Sequence, residues 1–401
     1  MKKPFEVLII SCVFPPEPVV SANLSYDLAD NLSKVARVTV ISPKPTRPAG
    51  YNFKDAANID FSAKFKHVLT ASYTSPLSNF IGRIRESISF GLHCKRYILS
   101  SDEKYVCIYM NNWPIFAQYF VAKAADRKGI RLVTHIQDIY PEAFIQKTPK
   151  IIQGLLFGIL YTFERYTLRQ SAQLITISEG MKDYLSLSRK LTENKIKVVF
   201  NWQDEKRFEI GGSKSNQGEK LTFMFLGTIG PLTNLGFVLE SFSELESTKA
   251  KFIVAGEGSE KATLQRQVSQ YSNADISFIE AHAQEVPLIQ SKADVLVLSL
   301  KPGASKLALP SKLIAYMLSS RPVLAIVDHE SDVSKAVLSS KCGWVANANE
   351  SGDVREVFKE IFNTSRKDMA SKGRNGKNFA LRNYTRDINL SKIQSIILED
   401  E

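Results

Sequence analysis

The stretch LTFMFLGTIGPLTNLGFVLESFSEL, residues 221–245, runs from an apolar strand through a glycine-bearing loop into an apolar helical segment. Gly227 and Gly230 stand just after the strand, where the missing Cβ lets the backbone approach a bulky polar ligand. Strand-end glycines are common, so this pair acquires weight only from what surrounds it.

Downstream the pattern repeats. AKFIVAGEGSEKATLQRQV places Gly256, Glu257 and Gly258 in a turn that leads into a helix, ISFIEA adds a strand, and ADVLVLSL runs into a loop with Lys301, Lys306 and Lys312. In LALPSKLIAYMLSSRPVLA, residues 307–325, Pro310 and Ser311 read as a helix start and Lys312 falls in the first turn. Ile314, Met317 and Leu318 follow at helical spacing. A helix start carries free N–H groups and the positive end of the macrodipole, and a hydroxyl and an ammonium beside them suit a phosphate. An ordinary capped helix with a solvated lysine is the alternative.

Upstream, FEVLIIS, SANLSYDLADNLSKV with Leu24, Leu28 and Leu32 on one face, and ARVTVIS give strand, helix, strand. YVCIYM, FAQYFVAKAADRKG and IRLVTHIQD repeat that order, which is βαβ winding on a parallel sheet. The Gly/Ser-rich EIGGSKSNQGEK, Glu209 to Lys220, reads as a linker. The expected class is α/β, with two doubly wound, Rossmann-like domains over residues 1–205 and 206–401 facing a central cleft. The last helix is placed to cross back to the first domain. Ligands are expected at the carboxyl ends of the strands.

Composition narrows the possibilities. A chain of 401 residues with 44% hydrophobic content fills two cores. Its four cysteines, Cys12, Cys94, Cys107 and Cys342, form no C-x-x-C pair and suggest neither a disulfide framework nor zinc. Glu6 interrupts the short apolar run near the amino terminus, which reads as a first strand of a cytoplasmic protein. No segment approaches the roughly 20 apolar residues of a membrane span. Residues 1–200 hold 27 Lys+Arg and 16 Asp+Glu, leaving the whole net charge of +11 in the first half. Such a half suits anionic lipid, a phosphate-bearing acceptor or nucleic acid. No stacked-aromatic single-strand motif, zinc knuckle or basic arm is present, so nucleic acid is not the expected partner.

Two first-half segments are apolar and basic together. FIGRIRESISFGLHCKRYIL, residues 80–99, carries Arg83, Arg85, Lys95 and Arg96; it reads equally as a core helix or an interfacial one. KIIQGLLFGILYTFERYTLR, residues 150–169, is apolar nearly all round, and burial is expected.

The ordered series GTIG, VAGEGSEK, ADVLVLSL and LPSKLIAYMLSSRPVLA resembles the carboxyl-terminal domain of GT-B glycosyltransferases of the GT4-like group acting in bacterial surface polysaccharide synthesis, in its Pro-Ser-Lys branch. FPPEPVVSANLSYDLADNLSKVARVTVIS, HIQDIYPEAF, ERYTLRQSAQLITISEGMKDYL and VVFNWQD resemble its amino-terminal domain in order and spacing. The resemblance implies a nucleotide-sugar donor, UDP-linked, on the second domain. Gly227, Thr228, Gly256, Glu257, Lys306, Ser311 and Lys312 fall around that donor. It implies an acceptor on the first domain; the apolar and basic segments and the +11 first half point to a lipid-linked saccharide at the inner face of the cytoplasmic membrane, with Ser21, Asn23, Arg83, Arg85, Lys95 and Arg96 on the acceptor or membrane side. Asn201-Trp202 resembles the family's interdomain element.

The chain also departs from that pattern. Leu307 and Ala315 stand where many GT4 enzymes carry two glutamates, and the Arg and Lys often found after the first glycine are missing from GTIGPLTNLG. Retention of anomeric configuration is accordingly not assumed. Lysines and helix N–H groups can serve the leaving diphosphate without a metal, so no metal or other cofactor is expected. For a base, Asp138 and Glu17 follow first-domain strands, against ordinary roles as an N-cap and a loop residue; His135 and Glu142 are weaker choices. A nucleotide-sugar epimerase or hydrolase, and a degenerate domain acting as an assembly partner, are the competing readings.

Overall fold

The computed structural model describes residues 5–47, 53, 61–75, 80–111, 114–145, 148–209, 220–245, 249–282, 284–304 and 309–399. The chain divides into two compact units, one of residues 1–177, 182–199 and 390–401 and the other of residues 178–181 and 200–389.

In the first unit, β1 (Phe5–Ile10), α1 (Val20–Ser33), β2 (Ala36–Pro43), β3 (Lys66–Thr70), α2 (Phe80–Ser100), β4 (Cys107–Asn111), α3 (Ile115–Lys128) and β5 (Arg131–Ile136) come first. α4 (Glu142–Ile145), α5 (Lys150–Gln170), β6 (Gln173–Thr176), α6 (Glu179–Arg189) and β7 (Ile196–Val198) follow. The strands form a parallel sheet in the order β3-β2-β1-β4-β5-β6-β7. Successive residues of β1 alternate between the two faces, and Val7, Leu8 and Ile9 are wholly buried, as a strand covered on both sides requires. α2 and α3 cross closely at Gly91, where a Cβ would lie 2.6 Å from the Ala117 Cα.

The second unit runs β8 (Leu221–Leu226), α7 (Leu235–Ser243), β9 (Ala250–Ala255), α8 (Lys261–Val268), β10 (Ile276–Ile279), α9 (Val286–Ser291) and β11 (Val295–Ser299). It continues with α10 (Ser311–Leu318), β12 (Val323–Val327), α11 (Asp332–Ser340), β13 (Gly343–Asn347), α12 (Ser351–Asn363), α13 (Arg366–Asn383) and the first residues of α14 (Arg386–Leu398). Its parallel sheet has the order β10-β9-β8-β11-β12-β13. Phe223 and Phe225 of β8 pack with Phe242 and Phe358 on one face, while Met224 and Leu226 pack with Leu313, Tyr316 and Met317 of α10 on the other.

Both sheets are therefore doubly wound, as the sequence pattern indicates. The linker expected over Glu209 to Lys220 falls on residues 210–219, outside the described ones. From Leu390 onward α14 belongs to the first unit, where Arg131 Nη1 donates to the carbonyls of Ile396 (2.7 Å) and Ile397 (3.2 Å). Segment 80–99 forms α2, which buries Phe90, Cys94 and Ile98. Segment 150–169 departs from its expected burial: Ile151 is 95% exposed and Leu155 70%, because only the later turns of α5 meet a neighbour, through Leu160, Glu164, Thr167 and Leu168. Among the described residues no helix is long and apolar enough to cross a membrane.

One buried bond fixes α10 against β8. The Tyr316 hydroxyl accepts from the Leu226 N–H (2.9 Å) and donates to the Leu226 carbonyl (3.0 Å). Tyr316→Phe strands two buried backbone groups at a cost of about 1–3 kcal/mol; the expected outcome is a lower melting temperature with unchanged secondary-structure content by circular dichroism.

Candidate active site

In the second unit the order of the sheet reverses at β8, with β9 on one side and β11 on the other. β8 and β11 pair only at Phe223 and Met224, so they part before the end of β8. Open α/β sheets bind ligands at this kind of divergence. Gly227 follows at once with φ of +138°, and Gly256, at the end of β9, has φ of +135°. A Cβ on Gly256 would lie 2.2 Å from the Gly227 carbonyl oxygen, so the two strand ends meet backbone to backbone.

A Cβ on Gly227 would meet something else: the Lys312 side chain, with Cε at 2.3 Å and Nζ at 2.7 Å. Lys312 extends from the first turn of α10 across the end of β8, its ammonium 4.2 Å from the centre of the Phe225 ring and donating to the Thr228 carbonyl at 3.3 Å. Among the described residues it has no carboxylate partner. Burial lowers its pKa from 10.5 to about 8. Helix α10 begins at Ser311, and its cap residue, Pro310, supplies no side-chain acceptor for the first-turn N–H groups. These features leave a local excess of positive charge among the described residues.

The other expected donor residues distribute unequally. Thr228 is exposed beside Gly227. Glu257 forms an ion pair with Lys261 at the head of α8. Lys306 and Leu307 lie outside the described residues, and Ala315 is buried within α10. Ser299, at the end of β11, has a buried hydroxyl with no partner among the described residues. Nothing in its apolar strand distinguished it by sequence.

The first sheet reverses between β1 and β4. There Asn111 donates to the hydroxyls of Ser11 (3.2 Å) and Ser25 (3.1 Å), which are themselves 2.9 Å apart. A cavity of about 280 Å³ opens beside them, lined by Ser21, Arg47, Asn111, Gln137, Asp138 and Tyr140 among others. The structure thus brings Asp138 and Ser21 together. Asp138 lies in the loop between β5 and α4 and is not an N-cap. Asn23 is exposed on α1 and does not line the cavity.

Glu17 is placed differently from the expectation. It is buried, Oε1 accepting from the N–H groups of Thr46 and Arg47 (both 2.9 Å) and Oε2 from Phe14 (3.2 Å). Burial raises its pKa against those bonds. The carboxylate clamps two loops together and does not line the cavity.

The basic residues of α2 serve several roles. Arg83 (2.7 Å) and Arg47 (3.2 Å) share the buried Glu86. Arg85 stacks on Tyr73 at 4.6 Å, Lys95 lies 5.9 Å from the Phe120 ring, and Arg96 is exposed. Arg47, which the sequence reading passed over, reaches the cavity from the chain after β2.

A second residue that sequence did not single out holds the Asp138 loop. The buried Arg189 guanidinium donates to the Tyr140 carbonyl (3.0 Å) and pairs with Glu142 (2.7 Å) and Glu164 (3.0 Å). Tyr184 donates to Glu142 at 2.6 Å. Burial holds the Glu164 carboxyl up to about 7 despite Arg189. His135 is equally enclosed: its Nδ1 lies 2.5 Å from the Tyr109 hydroxyl, and burial lowers its pKa to about 4.

Known proteins fit this architecture. Residues 21–207 match the family model described as Glycosyltransferase Family 4, and residues 220–363 match the one described as Glycosyl transferases group 1. The probable glycosyltransferase WbjE of Pseudomonas aeruginosa is 21% identical over 283 residues, 67% of this chain and 68% of that protein. The crystal structure of HepE from Anabaena in complex with UDP superposes with a TM-score of 0.70 at 13% identity, covering 98% of this chain and 99% of that one. WaaG, a glycosyltransferase involved in lipopolysaccharide biosynthesis, gives 0.67 at 14% identity over 98% of this chain and 100% of its own. Each half of the chain carries a sheet wound about its own divergence point and matches a glycosyltransferase model: the chain belongs to glycosyltransferase family 4 and has the GT-B fold.

Proposed function

We propose that this glycosyltransferase moves a sugar from a UDP-linked donor, held by the second unit, to a lipid-linked saccharide held by the first, in bacterial surface polysaccharide assembly at the inner face of the cytoplasmic membrane. The observation that carries the donor half is Lys312, a half-buried ammonium over Phe225 with no counter-charge among the described residues, at the head of α10. A charge drawn partly out of water is costly until an anion joins it, and a diphosphate supplies one. The UDP in HepE, which has the same fold, supports the choice of nucleotide. WaaG, named for lipopolysaccharide biosynthesis, supports the pathway class.

In this reading the donor C1–O bond breaks, negative charge gathers on the leaving diphosphate, and the acceptor oxygen forms the new bond to C1. Lys312 and the α10 N–H groups stabilise that charge, Ser311 adds a hydroxyl, and no divalent cation is required. Asp138, on the cavity of the first unit, takes the proton of the acceptor hydroxyl. Glu17 is assigned to holding the loops. Ala315, where related enzymes offer a carboxylate, favours a second reading of nucleotide binding without transfer.

Thermal stability with UDP, GDP and inorganic diphosphate tests the donor site. UDP at about 100 times its dissociation constant stabilises by about 2.7 kcal/mol, and Lys312→Ala is expected to lose most of that gain while GDP and diphosphate give less. No shift with any nucleotide defeats the proposal. Because the lysine must be charged to hold phosphate, UDP affinity is expected to fall about tenfold per pH unit above the Lys312 pKa of about 8. The free protein behaves oppositely: its half-buried ammonium costs stability below about 8, and that cost fades as pH rises towards 10.5, so Lys312→Met melts higher at neutral pH.

Steady-state kinetics separate the carboxylates. Asp138→Asn is expected to lower kcat by about 10²–10⁴ with little change in melting temperature. Glu17→Ala is expected to lower the melting temperature first.

A further inference from the structure

Helix α5 shows one face to solvent along its length. Ile151, Leu155, Gly158, Thr162, Arg165 and Arg169 succeed one another at intervals of three and four residues and so share that face. At its amino-terminal end the face is apolar, Ile151 being 95% exposed, Leu155 70% and the flanking Ile159 48%. Large side chains left outside to this extent gain nothing from folding.

At the other end the same face is cationic. Arg165 and Arg169, with Lys190 beyond α6, line a cavity of about 410 Å³. None of the three has a carboxylate within ion-pairing distance among the described residues. The fourth cation there, Arg189, is already paired with Glu142 and Glu164. Ten residues of helix separate Leu155 from Arg165, about 15 Å. An oblique helix therefore puts the isoleucines among acyl chains with its arginines at phosphate level. A partner offering both hydrocarbon and closely spaced anions matches this gradient, and an anionic bilayer offers both. The +11 charge of residues 1–200 adds to the attraction.

We infer that α5 is a bilayer-docking helix whose Ile151–Ile159 end enters the acyl boundary and whose Arg165, Arg169 and Lys190 cavity takes the phosphate of an anionic phospholipid. The docked helix adjoins the acceptor cavity. Leu160 lines an apolar crevice with Phe116, Phe144 and Tyr140, and Tyr140 also lines the cavity of Asp138. Use of that crevice as a path for the acceptor's lipid rests on the proposed function; docking does not.

Flotation of the full chain tests the inference, with vesicles of phosphatidylglycerol and phosphatidylcholine in equal parts against phosphatidylcholine alone. Wild type is expected to float with the anionic vesicles and to be released by salt. Arg165→Gln with Arg169→Gln weakens partitioning about fivefold for each arginine removed, and Ile151→Asp with Leu155→Asp abolishes flotation. All four positions are exposed, so unchanged melting temperatures separate lost docking from lost fold. Wild type that ignores anionic vesicles, variants that float as wild type, or an apolar-face variant whose only change is loss of a protein dimer each overturn it. UDP stabilisation measured on the same samples is unaffected by these changes, so failure of docking and failure of the donor site are read separately.

Discussion

A parallel sheet wound outward in both directions must come apart at its centre, and there its backbone loses partners. In the second unit the loss falls on Leu226, whose N–H and carbonyl are both taken by the Tyr316 hydroxyl. That bond fixes α10, and with it the position of Ser311 and Lys312 at the end of β8. In the first unit the same divergence is bridged by Ser11, Ser25 and Asn111, and the cavity with Asp138 opens beside them. Each candidate site stands where the sheet's own hydrogen bonding ends.

Features governed by neighbours in sequence were legible. The glycines after β8 and β9, the start of α10 at Ser311 and the βαβ order follow from local periodicity and backbone preference. Features governed by distant partners were not. The prolines around Glu17 mark a stiff loop, but its orientation is set by N–H groups 29 and 30 residues away. Arg47 and Arg189 gain meaning only from carboxylates 39 and 25 residues distant. β3 escaped because Lys66 and His67 give a short edge strand no apolar run. Composition alone cannot say which turns of an apolar helix find a neighbour, and in α5 no residue before Leu160 is buried.

The cations fall into two kinds. Arg47, Arg83 and Arg189 are bound to buried carboxylates and serve as struts of the first unit. Among the described residues Lys312, Arg165 and Arg169 have no such partner, and they stand at the two places proposed to take an external anion. Net charge describes neither group. What matters is whether folding has already supplied the counter-charge.

The space missing from Gly227 is filled by the methylenes of Lys312, more than eighty residues later in the chain. A single methyl group at position 227 therefore acts twice, straining a backbone held at a φ of +138° and evicting the lysine side chain while leaving position 312 chemically intact. Change at the glycine is thus felt as a displaced charge, whereas a shorter residue at 312 removes the clash and leaves the backbone strain in place.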